Sequence, residues 1–168
     1  MSDAAGEEAF WRFSLAVYGA PGVAARLVEL QDRLGLDVNL ALFCAWLGWS
    51  GRGRASPDAI GRADRAVAGW RDDIVRPLRA ARRALRARDE PAGAASLRAE
   101  VQRAELAAER LAQRLLLASL PTGAAPAPLA EEARRADAAA NLRNYCELLH
   151  ASPESLDFIA SVLSAAGS

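Results

Sequence analysis

Apolar residues recur at helical spacing along most of the chain. Val23, Leu27, Leu30 and Leu34 follow one another at intervals of four, three and four residues, which places them on one face of a helix. A longer stripe with the same alternating intervals comprises Leu97, Val101, Ala104, Ala108, Leu111, Leu115 and Ala118. Because β-branched residues are few and no run alternates apolar with polar positions, the pattern predicts an all-α protein.

Start and stop signals divide this pattern into separate helices. We expect the first helix to begin near Glu7 or Glu8, because acidic residues suit the positive end of a helix. Gly35 follows the first stripe as a C-terminal cap, and Asp37 supplies an N-terminal cap for the next helix. The Ser-Pro-Asp sequence at 56–58 and the Ser-Pro-Glu sequence at 152–154 each predict a further helix start. Pro77 is expected to kink or break the helix that contains it.

The segment 38–47 is apolar on nearly every side, which is typical of a helix surrounded by other helices. We therefore predict a single compact bundle of about seven helices, with this helix near its centre. The chain is expected to form one domain over residues 1–168, with residues 1–6 disordered and residues 121–128 forming a Pro/Ala-rich loop. Enough neighbouring helices exist to cover the 97–118 stripe, so we favour a monomer, although the stripe would also suit a dimer.

Composition narrows the range of functions. The 21 basic residues are all arginine and are balanced by 21 acidic residues, so a general affinity for nucleic acid is not expected. The absence of lysine excludes lysine Schiff-base chemistry. Cys44 and Cys146 lie in apolar segments without a CxxC motif, which favours buried, reduced thiols. The acidic, polar N-terminus is unlike a secretory signal, and the longest apolar stretch, residues 38–49, is too short to span a bilayer. We expect a cytoplasmic protein without a membrane partner.

Residues that could support catalysis or bind a metal are sparse. His150 is the only histidine, and its neighbours do not suggest a serine–histidine–carboxylate set. Acidic pairs such as Asp72 and Asp73 lack the spacing of four that places two carboxylates on one helix face. One histidine and two scattered cysteines do not indicate a zinc site. We therefore predict no catalytic residue, no metal site and no cofactor.

Six arginines lie between residues 76 and 88 without an acidic residue among them. Four of them share one helical face: Arg76, Arg79, Arg83 and Arg86. One interpretation is an anion-binding face for an RNA backbone, a nucleotide or an acidic protein surface. The other is ion pairing with acidic residues of the following helix, namely Glu100, Glu105 and Glu109.

The aromatic residues are concentrated near the N-terminus, where seven of the ten lie between residues 10 and 49. This segment would form an ordinary core, or it would form an aromatic-walled site with a few polar groups. On the second interpretation, the walls or anchors are Trp11, Tyr18, Trp46 and Trp49. Orienting hydrogen bonds would come from Arg12, Asp32 and Asn39, whereas Gln31 and Asp37 would be structural, as a buried amide and a helix cap.

Residues 10–48 contain the motifs FWxFSLxxY and, further along, LQDxxGxDVNLxLFxxWLG. This pattern resembles the signature of a family of small bacterial proteins of unknown function. The family has no established activity to carry over. The resemblance implies only that the signature residues belong together, namely Phe10, Trp11, Ser14, Tyr18, Leu30, Gln31, Asp32, Gly35, Asp37, Asn39 and Trp46.

These observations favour a non-enzymatic binding or adaptor module whose aromatic region engages a protein helix or a small apolar ligand. One alternative is a helical enzyme for a hydrophobic or phosphorylated substrate, in which Asp32 and Asp37 hold a metal and the arginine face holds phosphate. A second alternative is an RNA- or ribosome-associated factor that uses the arginine face from Arg76 to Arg88.

Overall fold

The computed structural model describes residues 4–88, 91–121 and 126–165. Its α-helices are α1 (Ala4–Tyr18), α2 (Val23–Leu34), α3 (Val38–Trp49), α4 (Pro57–Trp70), α5 (Arg76–Arg86), α6 (Ala94–Ala118), α7 (Glu131–Leu148) and α8 (Asp157–Ala165). A π-helical turn, Arg71–Val75, joins α4 to α5, and a 3-10 turn, Pro153–Leu156, precedes α8.

The described residues form an all-α bundle without a strand, which confirms the predicted fold class. Because α4, the π turn and α5 run on as one helix, these segments amount to seven helices. Residues 4–6 are helical rather than disordered, since Ala4 and Ala5 favour a helix and Gly6 is buried. Residues 1–3 of that prediction lie outside the described residues. Pro121 and residues 126–128 are non-helical, and the rest of the predicted loop lies outside the described residues.

Helix α3 is the centre of the bundle, as its apolar sequence predicts. Every residue from Asn39 to Gly48 is buried. Helix α7 approaches α3 very closely, because a Cβ atom added to Gly48 would lie 2.0 Å from the backbone nitrogen of Ala138. The predicted cap of α3 is present, since Asp37 Oδ1 accepts the Leu40 N–H at 3.2 Å. The start of α3 is therefore held both by its own cap and by the surrounding helices.

Pro77 does not break its helix. The π turn immediately before it closes with a hydrogen bond from the Arg76 N–H to the Arg71 carbonyl, five residues back. This wider turn accommodates a proline that lacks an N–H and would crowd the preceding turn of an α-helix. One residue before the π turn, Trp70 Nε1 donates to the Ala108 carbonyl at 2.9 Å and ties α4 to α6.

The predicted apolar stripe of α6 is wrong. Leu97, Leu111 and Leu115 are 50%, 40% and 38% exposed, so this stripe does not face the core. The buried residues of α6 are Ala94, Glu105, Ala108, Ala112, Gln113 and Leu116. The buried face of α6 therefore lies about 100° around the helix axis from the predicted face, which corresponds to a shift of roughly one residue. Ala108 and Ala112 let the backbone of α6 approach the bundle closely, which leaves these leucines at the edge of the contact.

Both cysteines are buried and form no disulfide, and burial raises the pKa of the Cys44 thiol. Within the described ranges, none of the helices combines the length and the apolar character needed to cross a bilayer.

Candidate ligand-binding groove

A groove of about 310 Å³ lies between α1 and α6, beside the first turn of α3. Trp11, Leu15 and Tyr18 line it from α1, where intervals of four and three residues place them on one helix face. Leu106 of α6 also lines it. Leu15, Tyr18 and Leu106 are 50%, 40% and 48% exposed, so the groove presents unusually accessible apolar surface. We call this site, with Gln113 at its base, the amphipathic groove.

The floor of the amphipathic groove is a buried amide network. Gln113 is 3% exposed, and its Nε2 donates to Ser14 Oγ and to Asn39 Oδ1, both at 3.0 Å. Its Oε1 atom is also buried but accepts no hydrogen bond from the residues that the structure describes. Leaving a buried polar atom unpaired costs about 1–3 kcal/mol. This oxygen would therefore gain a partner if a bound molecule brought a hydrogen-bond donor.

One side of the amphipathic groove is charged. Glu105, which is 6% exposed, accepts hydrogen bonds from Arg79 Nε at 3.3 Å and from Arg82 Nη2 at 3.2 Å. Arg79 also donates to Glu109 Oε1 at 2.6 Å and to Gln31 Oε1. Burial raises the pKa of the Glu109 carboxyl above its ordinary 4.5, and the charge of Arg79 partly opposes that rise. These contacts fix the charged side before any ligand arrives.

A second cavity of about 600 Å³ adjoins the amphipathic groove at the end of α2 and the start of α3. Its lining includes Asp32, Asp37, Arg76 and Arg83. The arginines are compensated by carboxylates, because Arg83 lies 3.5 Å from Asp32 and Arg76 lies 2.9 Å from Asp72. The second cavity therefore has little uncompensated positive charge.

The buried network at the start of α3 is structural. Besides capping the helix, Asp37 forms an ion pair with Arg71 at 3.1 Å, and Arg71 contacts Asp64 at 2.6 Å. The Asp37 N–H donates to the Tyr145 hydroxyl at 2.9 Å. Burial, and then the charge of Asp37, raise the pKa of Tyr145, so this hydroxyl stays neutral. Together these contacts fix the first turn of α3, which carries Asn39, against α4 and α7.

A third, shallower cavity of about 450 Å³ is lined by Arg82, Arg86, Arg98 and Gln102, and we call it the arginine cavity. It is continuous with the amphipathic groove, because Arg82 and Gln102 line both. In the described part of the chain, no carboxylate forms an ion pair with Arg86 or Arg98. Of the three cavities, the arginine cavity is thus the one whose positive charge the described residues compensate least.

The structure brings together only some of the residues that the sequence suggested for a site. Trp11, Tyr18 and Asn39 line the amphipathic groove, and Asp32 lines the second cavity. The side chain of Arg12 is 74% exposed and meets Glu8, outside the groove. The remaining two, Trp46 and Trp49, do not line the groove.

Trp46 belongs to the core. It is 2% exposed and lies among Phe10, Phe43 and the guanidinium of Arg52. Trp49 is half-buried at the other end of α3, where the guanidinium of Arg134 lies 5.1 Å from its ring. Neither indole is accessible as a wall of the amphipathic groove.

The predicted anion-binding face is divided between sites. Arg79 is paired with Glu105 and Glu109, two of the three partners suggested by the sequence, whereas Arg86 lines the arginine cavity. The hypothesis that Asp32 and Asp37 hold a metal finds no support, because the two Asp37 oxygens accept from Leu40 and Arg71. Among the described residues, no three His, Cys, Asp or Glu side chains gather into a metal-binding group.

Sequence reasoning missed that α6 lines a groove, although it named Glu105 and Glu109 as ion-pair partners of the arginines. Gln102, Glu105, Leu106, Glu109 and Gln113 all line the amphipathic groove. Gln102, Leu106, Glu109 and Gln113 recur at intervals of four, three and four residues, as an apolar face does, and Glu105 adjoins Leu106. Because most of these residues are polar, they read as a solvated surface. The one available signal was Leu106, an isolated apolar residue within that polar face.

Comparisons with known proteins identify the family of the chain. Neither the search of curated proteins nor that of solved structures found a significant match. A family model described as a protein of unknown function (DUF2390) matches residues 9–116. The match runs well beyond the aromatic segment and includes every residue that lines the amphipathic groove and the arginine cavity, whereas α7 and α8 lie outside it. The chain therefore belongs to the DUF2390 family of proteins of unknown function.

Proposed function

We propose that the protein is a binding module that holds a small amphipathic molecule in the amphipathic groove. The observation that carries the proposal is the unpaired Oε1 atom of Gln113 at the base of a groove with apolar walls. A ligand with an apolar body would cover Trp11, Tyr18 and Leu106. An N–H or O–H group on the same ligand would donate to Gln113 and remove the cost of its unpaired oxygen.

The size of the groove supports a small molecule rather than a helix from another protein. Its volume of about 310 Å³ lies at the lower end of the range of roughly 300–1,000 Å³ that is usual for small-molecule sites. A partner helix is about 10–12 Å across with its side chains, so a single turn of it, about 5.4 Å long, occupies roughly 500 Å³, which exceeds the volume of the groove. We therefore favour the small ligand over the protein helix that the sequence left open.

The fixed surroundings of the groove support binding in a preformed site. Ser14, Asn39 and Gln113 come from three different helices and are joined by hydrogen bonds. On the charged side, Glu105 immobilises Arg79 and Arg82. A site whose polar groups are already held in place loses little conformational entropy when it binds.

The proposal can be tested with the neutral fluorescent dye N-phenyl-1-naphthylamine, which has an aromatic body and one N–H donor. The wild-type protein should enhance its fluorescence in a saturable titration with one site. Leu106→Gln should weaken binding about fivefold or more, because a half-buried leucine contributes on the order of 1 kcal/mol to covering an apolar ligand.

Leu97→Gln is the matched control. Leu97 lies on the same helix and is 50% exposed, compared with 48% for Leu106, but it does not line the groove. Thermal unfolding should show that both variants remain folded. Absence of saturable binding by the wild type, or equal weakening in the two variants, would contradict the proposal.

A further inference from the structure

We propose that the ligand of the amphipathic groove is an anion, and that the arginine cavity binds its charged group. The position of the apolar body rests on the function proposed above, whereas the anion site rests on separate observations. The ligand class is an amphipathic molecule whose head group is an oxyanion, such as a phosphate or a carboxylate.

Two helices supply the four corners of the arginine cavity. Arg82 and Arg86 are four residues apart on α5, and Arg98 and Gln102 are four residues apart on α6. Residues at this interval lie on the same face of a helix. Since α5 and α6 pack against each other, the two pairs line one depression from opposite sides. This arrangement gathers three guanidinium groups and one amide around a single space.

The charge of the arginine cavity is only partly balanced. Like charges four residues apart destabilise a helix, so Arg82 and Arg86 are unfavourable neighbours without an anion. Glu105 pairs with Arg82, but no carboxylate in the described ranges pairs with Arg86 or Arg98. The second cavity differs because its arginines already have acidic partners. An anionic group would therefore gain more from the arginine cavity.

The orientation of Arg82 also suits an oxyanion. Its Nε and Nη2 atoms donate to the two oxygens of Glu105, which holds the guanidinium plane in place and leaves Nη1 outside that pair. A planar guanidinium binds carboxylate or phosphate oxygens through parallel hydrogen bonds. Because Arg82 and Gln102 also line the amphipathic groove, one molecule can place its head in the arginine cavity and its apolar body in the groove.

The test compares three competitors that share an octyl chain: octyl phosphate, octanoate and the neutral octanol. Each displaces N-phenyl-1-naphthylamine from the wild-type protein, and the ratio of its apparent Kd to that of octanol measures the head group. At least one of the two anions should bind about tenfold tighter than octanol, because charge-assisted hydrogen bonds exceed neutral ones. Whichever anion binds tighter identifies the head group.

The decisive variant is Arg86→Gln/Arg98→Gln. It should reduce the advantage of the better anion at least fivefold while the affinity for octanol changes less than twofold. The control is Arg103→Gln/Arg143→Gln, which removes the same charge from two exposed residues outside the cavity and should leave the advantage intact. No anion advantage in the wild type, or equal loss in the two double variants, would overturn the proposal.

A second measurement separates failure of the anion site from failure of the groove. Calorimetric titration with pyrophosphate at low ionic strength requires no apolar contact. The wild type and the Arg103/Arg143 variant should bind pyrophosphate, and Arg86→Gln/Arg98→Gln should bind at least fivefold more weakly. If the dye does not bind but this pattern holds, the groove proposal fails and the anion site stands. If all three proteins bind pyrophosphate equally or not at all, the anion site is refuted.

Discussion

Replacing Trp46 and Trp11 with alanine, one at a time, tests the division between core and groove. Trp46 is 2% exposed, and its ring centroid lies 5.0 Å from that of Phe10 and 6.4 Å from that of Phe43. Truncating such a buried tryptophan costs about 3–5 kcal/mol. For a domain of this size, 1 kcal/mol corresponds to about 2–4 °C, so the unfolding temperature should fall by roughly 6–20 °C.

Trp11 should behave differently. It is half-buried at the wall of the amphipathic groove, and the guanidinium of Arg110 lies 5.5 Å from its ring. Because fully burying a large apolar side chain contributes roughly 1.5–3 kcal/mol, truncating this partly exposed ring should cost about 1–2 kcal/mol. Trp11→Ala should nevertheless weaken dye binding, whereas Trp46 makes no direct contact with the groove.

Both variants should be compared by urea unfolding followed by far-ultraviolet circular dichroism, because a tryptophan signal would itself change with the substitution. The unfolding midpoint and the m-value together give the change in free energy of unfolding. If Trp11→Ala were as costly as Trp46→Ala, Trp11 would belong to the core and the groove would lose a wall. A loss below about 1 kcal/mol for Trp46→Ala would refute its assignment to the core.

Two further predictions concern the packing of α3 and the titration of the groove. Gly48→Ala should destabilise the protein by about 3 kcal/mol, because its Cβ would lie 2.0 Å from the Ala138 nitrogen, whereas Gly69→Ala, in open space on α4, should stabilise it by about 0.4–1 kcal/mol. The urea midpoints of the two variants check both predictions, and equal effects would contradict the close α3–α7 approach. The other prediction follows from the raised pKa of Glu109. The Glu109 carboxyl contributes its full stabilisation below its ordinary pKa of 4.5, and this stabilisation is lost as the pH rises through the raised pKa of the folded state. The stability of the wild type relative to Glu109→Gln should therefore decline as the pH rises above 4.5, and a rising difference across a pH series of urea titrations would show the opposite shift.

Local signals in the sequence predicted the helices well because their physical causes are local. Asp37 caps α3 and Ser56 caps α4 through backbone N–H groups three residues onward, and both bonds depend only on neighbouring residues. The uniformly apolar sequence of α3 likewise indicated a central helix. The π turn before Pro77 was not predictable from the sequence. A proline excludes a regular α-helical turn before it, but it does not determine whether the helix breaks there or widens into a π turn.

The rotation of α6 and the composition of the groove depend on tertiary contacts. A stripe of leucines and a stripe of alanines lie side by side on α6, and the close approach of the backbone selects the alanines. In the same way, Trp11 and Trp46 both lie in the aromatic segment, which the sequence left open as either a core or the wall of a site. Only the packing of α1 against α3 and α6 shows that one indole is sealed and the other lies beside a groove.

The buried floor is the strongest reason to regard the amphipathic groove as a binding site and not as a chance gap between packed helices. A partly satisfied polar network stabilises the folded state less than an apolar core does. If the contact among α1, α3 and α6 were purely structural, leucines at these positions would therefore stabilise it more. Instead, Ser14, Asn39 and Gln113 meet there, and Gln113 keeps one buried oxygen unpaired. The network around Asp37 fixes the first turn of α3 and thereby the position of Asn39. A donor from a bound ligand would complete the hydrogen bonding of this floor, and that requirement links the buried network to the proposed binding function.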